Sequence, residues 1–191
     1  IDGRTQLVVL TRATMNGIDP DDGGVIWSLP VKSFRGMNIL TPIIVNDAVF
    51  TATYGGNTQL IGFETEGETI TPAKKWDTGV QGYMTSPVVI DGHVYFFTRS
   101  NRFTCVRLSD GKRMWTSSPT GDDYWSLVAN GDRILALNDS GMLRLIKATP
   151  DSYDVVDEME IAEAQTWAHV AVVGKHIVVR EQDALSVWAW N

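Results

Sequence analysis

The sequence predicts an all-β protein, a β-propeller of four-stranded antiparallel blades, and three observations carry that prediction. Four segments share one pattern, two short apolar runs flanking a polar turn: 40–50 (LTPIIVNDAVF), 85–95 (TSPVVIDGHVY), 125–135 (WSLVANGDRIL) and 167–177 (WAHVAVVGKHI). Their aligned residues Pro42, Pro87, Leu127 and His169 follow one another at 45, 40 and 42 residues, within the about 40 to 50 residues of a four-stranded blade. A second landmark recurs behind the first, a turn rich in Asp and Gly that runs into a Trp. Asp and Gly supply turn geometry, and the alternating apolar residues around them are what half-buried antiparallel strands need.

Taken in order, residues 6–29 supply the last three strands of a blade. Their closing turn is Asp19-Pro20-Asp21-Asp22-Gly23-Gly24, followed by Trp27. Residues 40–79 and 85–117 read as complete blades ending near Trp76 and Trp115. Residues 125–161 read as a complete but less regular blade, because the last connection holds Pro150 and residues 155–161 carry no Trp. Residues 167–191 supply three strands, so the prediction is 18 strands, or 4.5 blades. A propeller removes its exposed strand edges by closing its ring. The count therefore reads as the C-terminal portion of a larger propeller of 7 or 8 blades. Helix is nearly absent; residues 160–165 end a strand and begin a loop.

With 43% hydrophobic and 20% charged residues in 191, the chain can bury a substantial core. Sixteen Lys and Arg against 23 Asp and Glu give a net charge of -7, which excludes an extended phosphate-binding surface and with it nucleic acid as a partner. No apolar run reaches the roughly 18 to 20 residues of a membrane-spanning helix. The opening Ile1-Asp2-Gly3-Arg4 carries neither initiator Met nor signal peptide, so the chain reads as a piece cut from a longer one.

The Ser/Thr-Pro strand opening, the Asp-Gly hairpin and the turn running into Trp resemble the PQQ-like β-propeller repeat. That repeat is shared by quinoprotein alcohol dehydrogenases and by the lipoprotein scaffold of the outer-membrane protein assembly machinery. Residues 17–27 look like the family's tryptophan-docking motif, and Arg107 to Trp115 is similar with one residue fewer in the turn. The resemblance implies that Trp27, Trp76 and Trp115 pack between neighbouring blades, where each large ring buries about 150 to 250 Å². It also implies an extracytoplasmic setting. It does not select a function, since the repeat serves enzymes and non-enzymes alike.

A quinoprotein, as the resemblance implies, holds PQQ with calcium in a central channel and often carries a disulfide between adjacent cysteines. The single Cys105 cannot supply that disulfide. Trp125, Trp167 and His169 are the channel candidates, the two tryptophans because they stand at matching places two residues before the aligned position, and His169 because it replaces the Pro or Leu of other units on an innermost strand. For all three, rim or interior packing is the simpler reading. The acidic turn 19–24 fails as a calcium loop of the EF-hand kind, since Pro30 falls where a bidentate Glu is required. His93, His169 and His176 show no zinc-hydrolase spacing, and no motif frames a nucleophile or a phosphate. Asn138-Asp139-Ser140 matches a glycosylation tripeptide too short to carry weight.

What remains is loop surface. The connections 31–38, 79–84, 118–124 and 162–166 emerge on one face of a propeller and carry Phe34, Arg35, Met37, Tyr83, Met84 and Tyr124. Aromatic, Met and Arg side chains are enriched in protein interfaces. The expectation is a non-catalytic scaffold for protein partners that needs no cofactor and associates with itself or with further blades. The alternatives are a fragment of a PQQ-dependent dehydrogenase, and a propeller that binds a small ligand or carbohydrate around Trp125 or Trp167.

Overall fold

The computed structural model describes residues 1 and 3–190. The chain divides into two compact units, Ile1–Tyr83 with Leu108–Lys112, and Met84–Arg107 with Arg113–Asn191. In the first unit, β1 (Leu7–Leu10), β2 (Thr14–Ile18) and β3 (Val25–Pro30) form a three-stranded antiparallel sheet in chain order. β4 (Ile43–Val45), β5 (Ala48–Ala52), β6 (Thr58–Glu66) and β7 (Thr69–Thr78) form a four-stranded one. Met15, Trp27, Val31, Val49, Ile61 and Ile70 make the core of this unit.

The second unit holds three sheets. β8 (Val88–Ile90), β9 (His93–Thr98), β10 (Arg102–Arg107) and β11 (Arg113–Thr116) form one. β12 (Trp125–Asn130), β13 (Arg133–Asn138), β14 (Met142–Lys147) and β15 (Asp154–Glu160) form the next, and β16 (Ala171–Val173), β17 (His176–Arg180) and β18 (Leu185–Ala189) the last. The β8–β9 hairpin turns on Asp91-Gly92, with φ of 46° and 71°. Two consecutive positive φ values match the right-handed twist of the flanking strands, which is why Asp-Gly is favoured there. One core gathers Tyr95, Phe97, Phe103, Cys105 and Trp125, and a second Leu135, Leu143, Ile177 and Val179.

The 18 strands among the described residues stand in sets of three, four, four, four and three, all antiparallel. Each of the first four sheets carries a bulge between its last two strands, at Gly17/Ile18, Leu60/Ile61, Cys105/Val106 and Leu145/Ile146. The residues directly before these bulges pair with Trp27, Trp76, Trp115 and Asp157. The unpaired extra residue is therefore Ile26, Lys75, Met114 and Val156, immediately before the Trp or its substitute. An extra residue re-aims the side chain that follows it, so the bulge sets the direction of each Trp.

Three expectations need correction. The fourth sheet lacks the Trp as expected, but its strands are full-length, six or seven residues, because Pro150 falls in the connection before β15 and removes no ladder hydrogen bond. His169 precedes β16 instead of lying in a strand, and it is exposed. A short 3-10 turn, Phe34–Gly36, forms where only loop was expected, with Arg35 at a φ of 53°.

Candidate functional site

The three docking tryptophans hold their indole N–H groups in the same way, each on an oxygen 2.7 or 2.8 Å away. In the first unit, Trp27 Nε1 donates to Gln6 Oε1 and the ring packs on Phe63 with centroids 4.9 Å apart. Trp76 Nε1 donates to the Leu108 carbonyl in the segment Leu108–Lys112. A Cβ added at Gly111, whose φ is 71°, would stand 2.6 Å from the Trp76 ring. The Asp-Gly turn is therefore required twice over, for its backbone and for the space it leaves. In the second unit, Trp115 Nε1 donates to the Thr149 carbonyl, and its ring lies 5.7 Å from that of Tyr153.

Of the loop residues, the first unit brings Phe34 and Tyr83 together through Tyr54, which sequence reasoning missed. Phe34 meets Tyr54 edge-on at 5.3 Å, and Tyr54 meets Tyr83 at 5.2 Å. The Phe34 amide also donates to the Tyr54 carbonyl at 2.6 Å, which pins the loop to the turn after β5. Arg35 holds its guanidinium 5.0 Å from the Phe34 ring centre, while Phe34 stays 46% exposed. Met37 is half-buried nearby in sequence, and Met84 is half-buried in the second unit. The pair Tyr54-Gly55, an aromatic at a turn glycine, is the signal that marks Tyr54 in the sequence.

In the second unit, Tyr124, Trp167 and His169 come together and Trp125 does not. Tyr124 is buried and stacks on Trp167 at 5.7 Å and 22°, with His169 edge-on to Tyr124 at 6.4 Å. Trp167 is 47% exposed, and its Nε1 donates to Gln165 Oε1 at 3.3 Å. Trp125 is fully buried among Phe97, Phe103 and the Arg144 guanidinium, so it is a core residue with no face open to a ligand.

A polar network beneath Tyr124 and Trp167 was not legible as such. Asn138 Nδ2 donates to Asp122 Oδ1 and Ser140 Oγ, both at 2.8 Å. Its Oδ1 accepts from the amides of Ser140 at 3.1 Å and Met142 at 2.6 Å. The Asn138 carbonyl accepts from the Thr166 hydroxyl, and the Asp139 amide donates to the Tyr124 carbonyl at 3.2 Å. One turn thus anchors both loops that carry the stacked rings.

Two carboxylates of the acidic turn 19–24 are engaged close by. Asp19 accepts from the Asp21 amide and from Arg4, which together hold its carboxyl below the usual range, and Asp22 accepts from the Gly24 amide. Among the described residues, no group of three His, Cys, Asp or Glu side chains is placed to hold a metal ion. None of the described helices is long and apolar enough to cross a membrane.

Cys105 is buried mid-strand, and burial pushes its thiol up to about 12, partly offset by a hydrogen bond with Tyr95. Since the thiolate is the reactive form, Cys105 in the native chain is expected to resist iodoacetamide at pH 8 and to react once unfolded, as read by mass spectrometry. Because the folded value lies above the ordinary 9.0, the stability tied to this group is complete below pH 9 and is lost as pH climbs toward 12.

No curated protein matches the chain in sequence. Among solved structures it is similar to BamB from Moraxella catarrhalis, with a TM-score of 0.57 and 14% identity over 97% of this chain and 70% of that one. It is also similar to the β-propeller domain of Cps50 (Swd1) from Myceliophteria thermophila, at 0.66 and 10% identity over 96% of this chain and 65% of that one. The computationally designed Ika4 protein gives 0.60 and 9% over 78% and 89%. At these identities the likeness is one of fold, and the fold is a β-propeller. The family profile described as outer membrane protein assembly factor BamB matches residues 1–117, more than half of the chain. Residues 1–117 include all three tryptophan-docking turns, and on that match the chain belongs to the outer membrane protein assembly factor BamB family.

Proposed function

We propose that this chain is a non-catalytic scaffold that binds protein partners outside the cytoplasm, with neither PQQ nor calcium required. The observation that carries the reading is the ring series Phe34–Tyr54–Tyr83, which holds a half-exposed Phe and a neighbouring Arg on a loop pinned by backbone hydrogen bonds. Rigid aromatic and Arg anchors on a supported loop are the residue types that dominate binding energy at protein interfaces. The family's description, an assembly factor of the outer membrane, supports both the partner class and the setting. The fifth sheet adds exposed Val172, Val173, Leu185 and Val187, with β18 at its edge, which favours association with a second copy or with further blades.

The test places a photo-crosslinking residue at exposed Lys32, beside the loop, in the source cells. One discrete protein adduct is expected, weakened about thirtyfold by Phe34→Ala, the equivalent of a hot spot of about 2 kcal/mol. An absent adduct, or one indifferent to Phe34→Ala, overturns the reading. Native mass spectrometry of the chain with PQQ and calcium is expected to show no gain of cofactor mass. A gain of one PQQ would move the reading to a dehydrogenase.

A further inference from the structure

The fourth sheet breaks the repeat at one position, and the break leaves a space. In the first three sheets the residue paired beside the bulge is Trp, whereas in the fourth Asp157 stands opposite Leu145. At that place lies a cavity of about 230 Å³, wholly within the second unit. Asp157, Glu158 and Met159 of β15 line it, together with Trp188 of β18 and Trp190 just beyond that strand. Leu145 and Ile177 are among the apolar side chains that also line it. Trp188 and Trp190 are 37% and 47% exposed, so two indole rings flank an opening where each earlier sheet seats one indole.

The chemistry of the space is the reverse of the other three. There the protein's own indole brings an N–H donor to an oxygen; here the wall offers the oxygen and no donor fills it. Glu158 is already engaged, accepting from Arg144 Nε at 2.9 Å. Asp157 Oδ1 accepts only the adjacent Glu158 amide, at 2.9 Å, and no Arg or Lys among the described residues pairs with it. A purely apolar occupant would match the floor and leave Asp157 desolvated without a partner, which is costly. An anion would meet two carboxylates on a chain of net charge -7. A planar cation with several N–H donors satisfies every wall at once, since guanidinium pairs bidentately with carboxylate and stacks on Trp faces.

We propose that the cavity between β15 and the end of β18 is a receptor for an arginine side chain presented by a protein partner. The scaffold reading enters only in assigning the guanidinium to a protein; the site itself rests on Asp157, Trp188, Trp190 and the cavity they line. The side chain enters past the two indoles, places its guanidinium on Asp157 and fills the position that a Trp occupies in the preceding sheets.

The probe is acetyl-arginine amide, titrated into the whole chain while the indole N–H signals of Trp188 and Trp190 are followed by NMR, assigned through Trp188→Phe and Trp190→Phe. Saturable shifts in the low millimolar range are expected, weakening as salt rises. Acetyl-citrulline amide, equal in shape and uncharged, is expected to bind at least tenfold more weakly, as is the arginine probe to Asp157→Asn. Asp157 is exposed, so this variant does not disturb the core. Asp157→Trp restores the repeat and is expected to abolish binding. No saturable shift, equal binding of citrulline, or unchanged binding by Asp157→Asn each overturns the proposal. Because the crosslink at Lys32 does not involve this cavity, its failure would remove the scaffold reading and leave the site, while failure of the titration would do the reverse.

Discussion

Trp125→Ala is expected to lower the stability of the second unit by about 3–5 kcal/mol, the range for emptying a fully buried Trp site. The ring is a meeting point for three groups: Phe97 at 6.4 Å, Phe103 at 5.1 Å and the Arg144 guanidinium at 4.9 Å. Its removal leaves a void lined by rings that cannot collapse into it, and strips the Arg144 cation of its aromatic face. Trp125→Phe separates the causes. The buried Trp125 Nε1 has no hydrogen-bond partner, so the smaller ring loses no hydrogen bond, removes an unsatisfied donor and still offers Arg144 an aromatic face. Its cost is expected to be about half that of Trp125→Ala or less, because the cavity it opens is much smaller. Urea unfolding followed by circular dichroism measures both, and equal losses for the two variants would show that packing is not the dominant contribution.

Asn138→Ala is the second large expectation, a loss of about 1–3 kcal/mol, because it leaves two part-buried backbone amides without their acceptor. The Ser140 and Met142 amides lose their acceptor, and Asp122 loses a donor. Asn138→Asp keeps the acceptor and sets a second carboxylate against Asp122. It is expected to be worse than Ala at neutral pH and to recover as pH falls through the carboxylate range. Thermal unfolding between pH 4 and pH 8 reads the difference. The indole N–H NMR signal of Trp167, assigned through Trp167→Phe and stacked on Tyr124, reports whether the loops loosen with it. A pH-independent gap between the two variants would refute the charge contribution.

These two residues also show how far the sequence could be read. The period, the 18 strands and the turns that run into Trp27, Trp76 and Trp115 were legible because they are written in alternation and in turn residues, which act over a few positions. Partners were not. Gln6 is 21 residues from the Trp27 it binds, and Thr149 is 34 from Trp115; nothing local marks either. Asn138 read as part of a surface tripeptide, yet tertiary contacts from residues 122 and 166 bury it. His169 was aligned with the first residues of inner strands, but pairing there begins only at Ala171. The sequence showed only that 155–161 carries no Trp; that Asp157 stands in its place, beside a cavity, needed the strand pairing and the fifth sheet to be seen.

The repeated bulge decides where the gene can gain or lose codons. Removing Lys75, the extra residue of β7, would leave Trp76 opposite Leu60 but take away the local bend and twist that aim its indole. Removing one residue from the hairpin tip beyond it would only shorten an arm. The second sheet has used that freedom: β6 and β7 run to nine and ten residues, against six and four in β10 and β11, yet the bulge still stands directly before the Trp. Length in this chain thus varies at the tips of its outer hairpins while the bulge residue beside each indole keeps its place.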